Sequence, residues 1–208
     1  MKMLLGVLLI AAFAVPPAQA KQYPPRDDCI ADASFVAFRA TLFDIARRKD
    51  AKALLAVVAP DVEFDFGEAA TRAGFAKEWK LDKPATSGVW RALDRALSRG
   101  CSLVDGEASA PYWYKHGPDG DLAEIALING ERVNLRTAPS PTAKIVRTAD
   151  WESVTVGDEG SEGWTKVKLD DGTEGYVASD YVWTGYSLRA LFRKSGGKWL
   201  MTAFIAGD

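Results

Sequence analysis

The sequence predicts an α+β fold: a helix-rich α+β domain completed by a C-terminal β-hairpin, with a small β-barrel inserted into it. Three observations predict it. Apolar residues recur near the 3.6-residue period through the first half of the chain. From about Ile128 the texture changes to short, closely spaced strands with polar turns. After Val182 apolar and polar residues alternate on both sides of Ser195-Gly196-Gly197-Lys198, the pattern of a second hairpin. A free two-stranded hairpin is barely stable in water, so this one is expected to finish the first domain. The domains are then 28–127 plus 185–208, with the barrel at 128–184.

In chain order, Met1-Lys2-Met3 precedes an apolar run from Leu4 to Val15 and a small-x-small end at Ala18-Gln19-Ala20. That is the layout of a secretory signal peptide, residues 1–20, cleaved after Ala20. The run is short of the roughly 20 residues a membrane-spanning helix needs, and no later stretch is long and apolar enough. An exported protein without a transmembrane anchor in its mature form, periplasmic or extracellular, is the expectation. Asp27 and Asp28 are placed to cap a helix through Ile30, Phe35, Phe38, Leu42 and Ile45. Asp50 caps a short second helix that Pro60 stops. Asp61 to Phe66 alternates acid and apolar residues, the pattern of a half-buried strand with Val62, Phe64 and Phe66 inside. Helices are expected at Ala73–Lys80 and, after Ser87, at Val89–Arg99, with Gly100 closing the latter. Ala110–Lys115 and Ala123–Ile128 read as strands.

The 26 Lys and Arg against 28 Asp and Glu leave a net charge of −2, which gives no footprint for nucleic acid or an anionic membrane. The only cysteines are Cys29 and Cys101. In an oxidising compartment they pair most simply as a disulfide, whose loop of about seventy residues corresponds to about 4 kcal/mol of closure entropy. The competing reading is a nucleophilic thiol served by His116, the only histidine. Asp61, Glu63, Asp65 and Glu68 offer carboxylates for a hard cation or a raised-pKa acid, or simply a solvated strand face, which is preferred here. Asp119-Gly120-Asp121 is a fragment of a calcium loop without its remaining ligands. No zinc spacing and no phosphate-cradling glycine loop occurs, so neither metal nor cofactor is expected.

Val133-Asn134-Leu135-Arg136-Thr137-Ala138-Pro139-Ser140, Gly163 to Val167, Gly175 to Val177 and Ser179 to Val182 follow one another in order. This run, about a quarter of the chain, resembles a bacterial SH3-like (SH3b) domain, with Tyr176 where that family more often has Trp. The resemblance implies a module without catalytic groups that binds cell-wall glycan, peptide or an envelope protein. The helices, the following strand and the closing hairpin resemble a nuclear-transport-factor-2-like cone. Inside the SH3-like segment, Val167 belongs to the core, so strand parity puts Trp164, Lys166 and Lys168 outward. Tyr176 joins that outer face, and Trp151, Tyr181 and Trp183 lie at strand or turn ends. Trp164, Tyr176, Lys166, Tyr181 and Arg136 are the candidate ligand-binding residues of a non-catalytic envelope protein. The same rings can instead pack on the host domain. Two alternatives stay open: a small-molecule cone lined by Phe35, Phe64, Trp90 and Trp199, and a cell-wall hydrolase using the acidic residues or His116.

Overall fold

In the computed structural model, which describes residues 21–66, 70–121, 124–157 and 160–207, the chain builds two sheets and places its helices around the first. The leader read in residues 1–20, and Glu68, lie outside the described residues. The first helix, α1 (Ala33–Arg48), begins later than the aspartates at 27 and 28 predict. Asp32 is its cap, accepting from the Ser34 and Phe35 N–H groups at 2.8 and 3.0 Å. Asp27 is taken instead by the Arg39 guanidinium, at 2.8 Å from Nη1. Residues 28–31 form one 3-10 turn, which leaves Ile30 71 % exposed rather than on a helix core face. Asp50 caps α2 (Ala51–Val57) through the Ala53 N–H at 2.9 Å. Pro60 does not stop that helix; it lies inside strand β1 (Val58–Glu63), which runs along the sheet edge, where a missing N–H is tolerated. Asp65 and Phe66 therefore fall past the strand end, and Phe66 is exposed rather than inside. Thr71 caps α3 (Arg72–Glu78), and α4 (Val89–Leu97) follows the Ser87 hydroxyl. Gly100 turns the chain at φ +74, where an added Cβ would lie 2.2 Å from the Arg26 carbonyl oxygen.

Strands β2 (Ser102–Val104) and β3 (Glu107–Ala110) form a hairpin that alternation alone does not reveal. Its turn is Asp105-Gly106, both at positive φ, the residue pair a two-residue hairpin loop favours. Ala110 ends β3, so Ala110–Lys115 is not a strand; Trp113–His116 forms a single helical turn, α5. The sheet is completed by β11 (Arg189–Ser195) and β12 (Lys198–Ile205), in the order β1-β12-β11-β3-β2. β12 runs parallel to β1 and antiparallel to β11. α1 lies against this sheet: the Phe35 ring meets Phe192 at 5.4 Å and Trp199 at 5.0 Å. Phe35 is fully buried, and Trp90 and Trp199 are each 6 % exposed, so these rings act as core. Phe64 is half-buried on Phe75. Cys29 and Cys101 are joined as a disulfide with 5.6 Å between Cα atoms.

The second sheet comprises β4 (Ile125–Ile128), β5 (Val133–Arg136), β6 (Ile145–Ala149), β7 (Ser153–Val156), β8 (Trp164–Leu169), β9 (Glu174–Ala178) and β10 (Val182–Thr184). Its order is β10-β4-β7-β8-β9-β5-β6, enclosing Val133, Leu135, Val154, Val167, Leu169 and Val177. Two expectations change. The ladder does not close into a barrel, because β10 and β6 remain edges. β4 also belongs here rather than to the first unit, pairing with β7 and with β10. The physical reason is that the entering strand β4 and the leaving strand β10 pair with each other, Ile128 opposite Val182, so the unit supplies its own neck. At that neck Trp113, Tyr112, Leu127 and Trp183 form a small core joined by Tyr23 and Trp151. The segment before α1 ties both units: the Tyr23 N–H donates to Trp151 O at 2.7 Å, and Cys101 N–H donates to Arg26 O at 2.9 Å.

Candidate functional site

Strand parity places the outer face of the second sheet. Val167 is buried, Trp164 and Lys166 are half-buried on the opposite face, and Lys168 is exposed. Tyr176 on β9 stands opposite both Lys166 on β8 and Arg136 on β5, so these three make one row across three strands. Trp164 pairs with Ala178 in the next row. The 3-10 turn at Ser179–Tyr181 then presents Tyr181, which is 48 % exposed. Its neighbour Asp180 is held by Arg91 at 2.8 Å and Arg95 at 2.7 Å, both from α4, so the first unit anchors the turn that carries the ring.

Trp164, Tyr181 and Arg136 line one open cleft of about 310 Å3 together with Glu131, Arg132, Asn134, Pro141 and Ala178. Lys166 and Tyr176 flank it without lining it. Arg136 is oriented by its Nη1 bond to Ala143 O at 2.7 Å. An indole face, a phenol, a fixed guanidinium and a side-chain amide are the groups that stack on a sugar ring or peptide and bond its polar atoms. Asn134 and Arg132 line the cleft without being among the sequence's candidate binding residues. For Asn134 the signal is present, since it alternates with buried Val133 and Leu135 by the same parity that turns Trp164 away from the core. Trp151 and Trp183 go elsewhere: their rings lie 5.7 and 6.1 Å from Trp113 in the neck.

The remaining candidates are dispersed. The cysteines are bonded to each other, which removes the thiol. His116 stacks on Tyr112 at 4.4 Å, and its Nε2 lies 2.9 Å from the Ser102 hydroxyl and 4.0 Å from an Asp28 oxygen. These are the residue types of a nucleophilic triad, yet both partners share one ring nitrogen, so Asp28 does not orient the other. Ser102 is also 1 % exposed, which leaves its oxygen no approach to a carbonyl. Asp61 and Glu63 occupy exposed positions on either side of buried Val62, and Asp65 lies past the strand end. Asp32 is held in the ionised form: Lys194, the Ser34 hydroxyl and the Phe35 N–H keep its pKa well below the carboxylate range.

Residues 131–182 match the family model of the bacterial SH3 domain. No curated protein sequence matches the chain. Solved structures with distant likeness include proteins described as NTF2-like. One is an NTF2-like protein with a cystatin-like fold from Novosphingobium aromaticivorans, 14% identical, TM-score 0.31, over 85% of this chain and 81% of that one. Another is an NTF2-like protein of unknown function from Pseudomonas putida KT2440, 12% identical, TM-score 0.30, over 86% of this chain and 87% of that one.

Proposed function

We propose that this is an exported, non-catalytic cell-envelope protein whose SH3-type module binds cell-wall glycan or peptide, or an envelope protein, through the outer face of the second sheet. The observation that carries the reading is the meeting of Trp164, Tyr181 and Arg136 at one open cleft, although they come from β8, the turn after β9, and β5. The family match over 131–182 supports a binding module, and the Cys29–Cys101 disulfide and the signal-like leader support the oxidising compartment. The module is an insertion in this reading, with 28–127 and 185–208 making one α+β domain, adjusted for β4. Adjacent β4 and β10 support it, as does the C-terminal hairpin lying between β1 and β3.

The test is retention of the full chain on purified wall sacculi, with melting temperature measured on the same samples. Trp164→Ala and Tyr181→Ala are each expected to weaken retention by about 1–3 kcal/mol, the range of an aromatic anchor, with the melting temperature kept. Tyr176→Ala, beside the cleft, is expected to cost less. Variants that melt earlier but bind equally per folded molecule would assign the rings to packing and sink the reading.

A further inference from the structure

Along β5, Val133 and Leu135 are buried, so Asn134 and Arg136 share the outward face. Arg132, just before the strand at φ +51, lines the same cleft. These three side chains follow at two-residue steps, each about 7 Å along an extended chain. All three reach solvent, Arg132 being exposed and Asn134 and Arg136 half-buried. Other arginines nearby are neutralised: Arg147 by Glu152 and Asp171, and Arg91 and Arg95 by Asp180. The two cleft arginines are not. Arg136 donates from Nη1 to Ala143 O, and Asp150 accepts from the backbone N–H of Arg132. Among the described residues no carboxylate is paired with either guanidinium, and the Asn134 side-chain amide has no hydrogen-bond partner.

The lining therefore holds two guanidiniums against one carboxylate, Glu131, with the amide of Asn134 on the strand between them and the Trp164 and Tyr181 rings beside it. A neutral sugar chain offers those cations no countercharge. An extended peptide repeats its side chains at the same two-residue step as β5. Carboxylates four residues apart on such a peptide come into register with Arg132 and Arg136, while Asn134 bonds the peptide backbone between them and the rings cover the side chain midway. Charge complementarity of this kind selects the partner as well as adding affinity. A guanidinium takes a carboxylate as a planar, two-bond pair, and the half-burial of Arg136 protects its pair from the screening that weakens a fully exposed one.

We propose that the outer cleft receives an extended acidic segment of a partner protein, its carboxylates four residues apart held by Arg132 and Arg136; this rests on the outer-face reading and selects one of its ligand classes. Fluorescence anisotropy of labelled acetyl-Glu-Thr-Val-Thr-Glu-amide, titrated with the full chain beside its Gln-Thr-Val-Thr-Gln counterpart, tests it. The acidic peptide is expected to bind about tenfold more tightly at low salt, the preference shrinking as salt rises. Arg132→Gln and Arg136→Gln are each expected to lower that preference, and Trp164→Ala to weaken both peptides alike. Circular dichroism checks that each variant is folded. If Arg136→Gln, which loses the bond to Ala143, does not fold, Arg132→Gln still tests the charge, because position 132 is exposed. Failure of the unaltered chain to bind the acidic peptide, equal binding of the two peptides, a preference that neither substitution lowers, or retention on peptide-free wall glycan that the acidic peptide does not displace each overturns the proposal. In any of those cases, weaker retention of Trp164→Ala on wall sacculi leaves the outer-face reading standing, and unchanged retention overturns that reading as well.

Discussion

Removing the disulfide should cost this protein stability mainly through its unfolded state. The bond closes a loop of 72 residues that holds α1 through α4. Loop-closure entropy for that length corresponds to about 4 kcal/mol at 25 °C. The native contacts around it do not depend on the sulfurs: Asp28 N–H still donates to Cys101 O at 2.8 Å, and Cys101 N–H to Arg26 O at 2.9 Å. Cys29→Ala with Cys101→Ala should therefore keep the fold, lose about 4 kcal/mol, and melt roughly 8–16 °C earlier, as expected for a chain of this size. Urea unfolding of the oxidised protein, the reduced protein and the double variant is the assay. The last two should coincide, with a steeper denaturant slope than the first, because an open denatured chain exposes more surface. A loss below about 1 kcal/mol, with slopes unchanged, would refute the entropic account.

Two further outcomes follow from the first sheet. Ending the chain after Thr184 removes β11 and β12, which lie between β1 and β3, so the truncated protein should lose cooperative melting; an unchanged melting curve would show that the helices stand without the hairpin. Asp32→Ala should lower the melting temperature near neutrality, because Lys194, Ser34 and the Phe35 N–H favour the carboxylate. A lowered folded-state pKa gives stability that is present above the unfolded value of about 3.9 and lost as pH falls through the folded value. The gap between wild type and variant should therefore shrink as the pH is taken from about 4 towards 2, and a gap constant across that window would contradict the assignment.

Local signals were readable wherever one short stretch carries its own instruction. Asp50 next to its helix, the alternation in Trp164–Leu169, and Gly196-Gly197 between two alternating runs all encode structure within a few residues. Asp105-Gly106 encoded a hairpin just as locally, but three- and four-residue strands are too short for periodicity to register beside it. The face carrying Trp164 and Tyr176 was also legible, since parity needs only one buried neighbour. Which of three nearby aspartates caps α1 was not. That choice depends on Arg39 claiming Asp27 from within the helix and on Lys194, distant in sequence, backing Asp32. Arg91, Arg95 and Arg99 likewise look like a solvated helix edge until Asp180, Asn129 and Trp183 arrive from the other sheet. Sequence by itself determined the periodic elements, the pairing of its only two cysteines and the outward face of β8. Tertiary structure alone decided that β4 joins β10, that Trp151 and Trp183 close the neck, and that three arginines border a cleft. The division has one physical cause. Backbone preference and side-chain period act within a few residues, whereas burial partners and charge pairs form only when distant faces exclude water from each other.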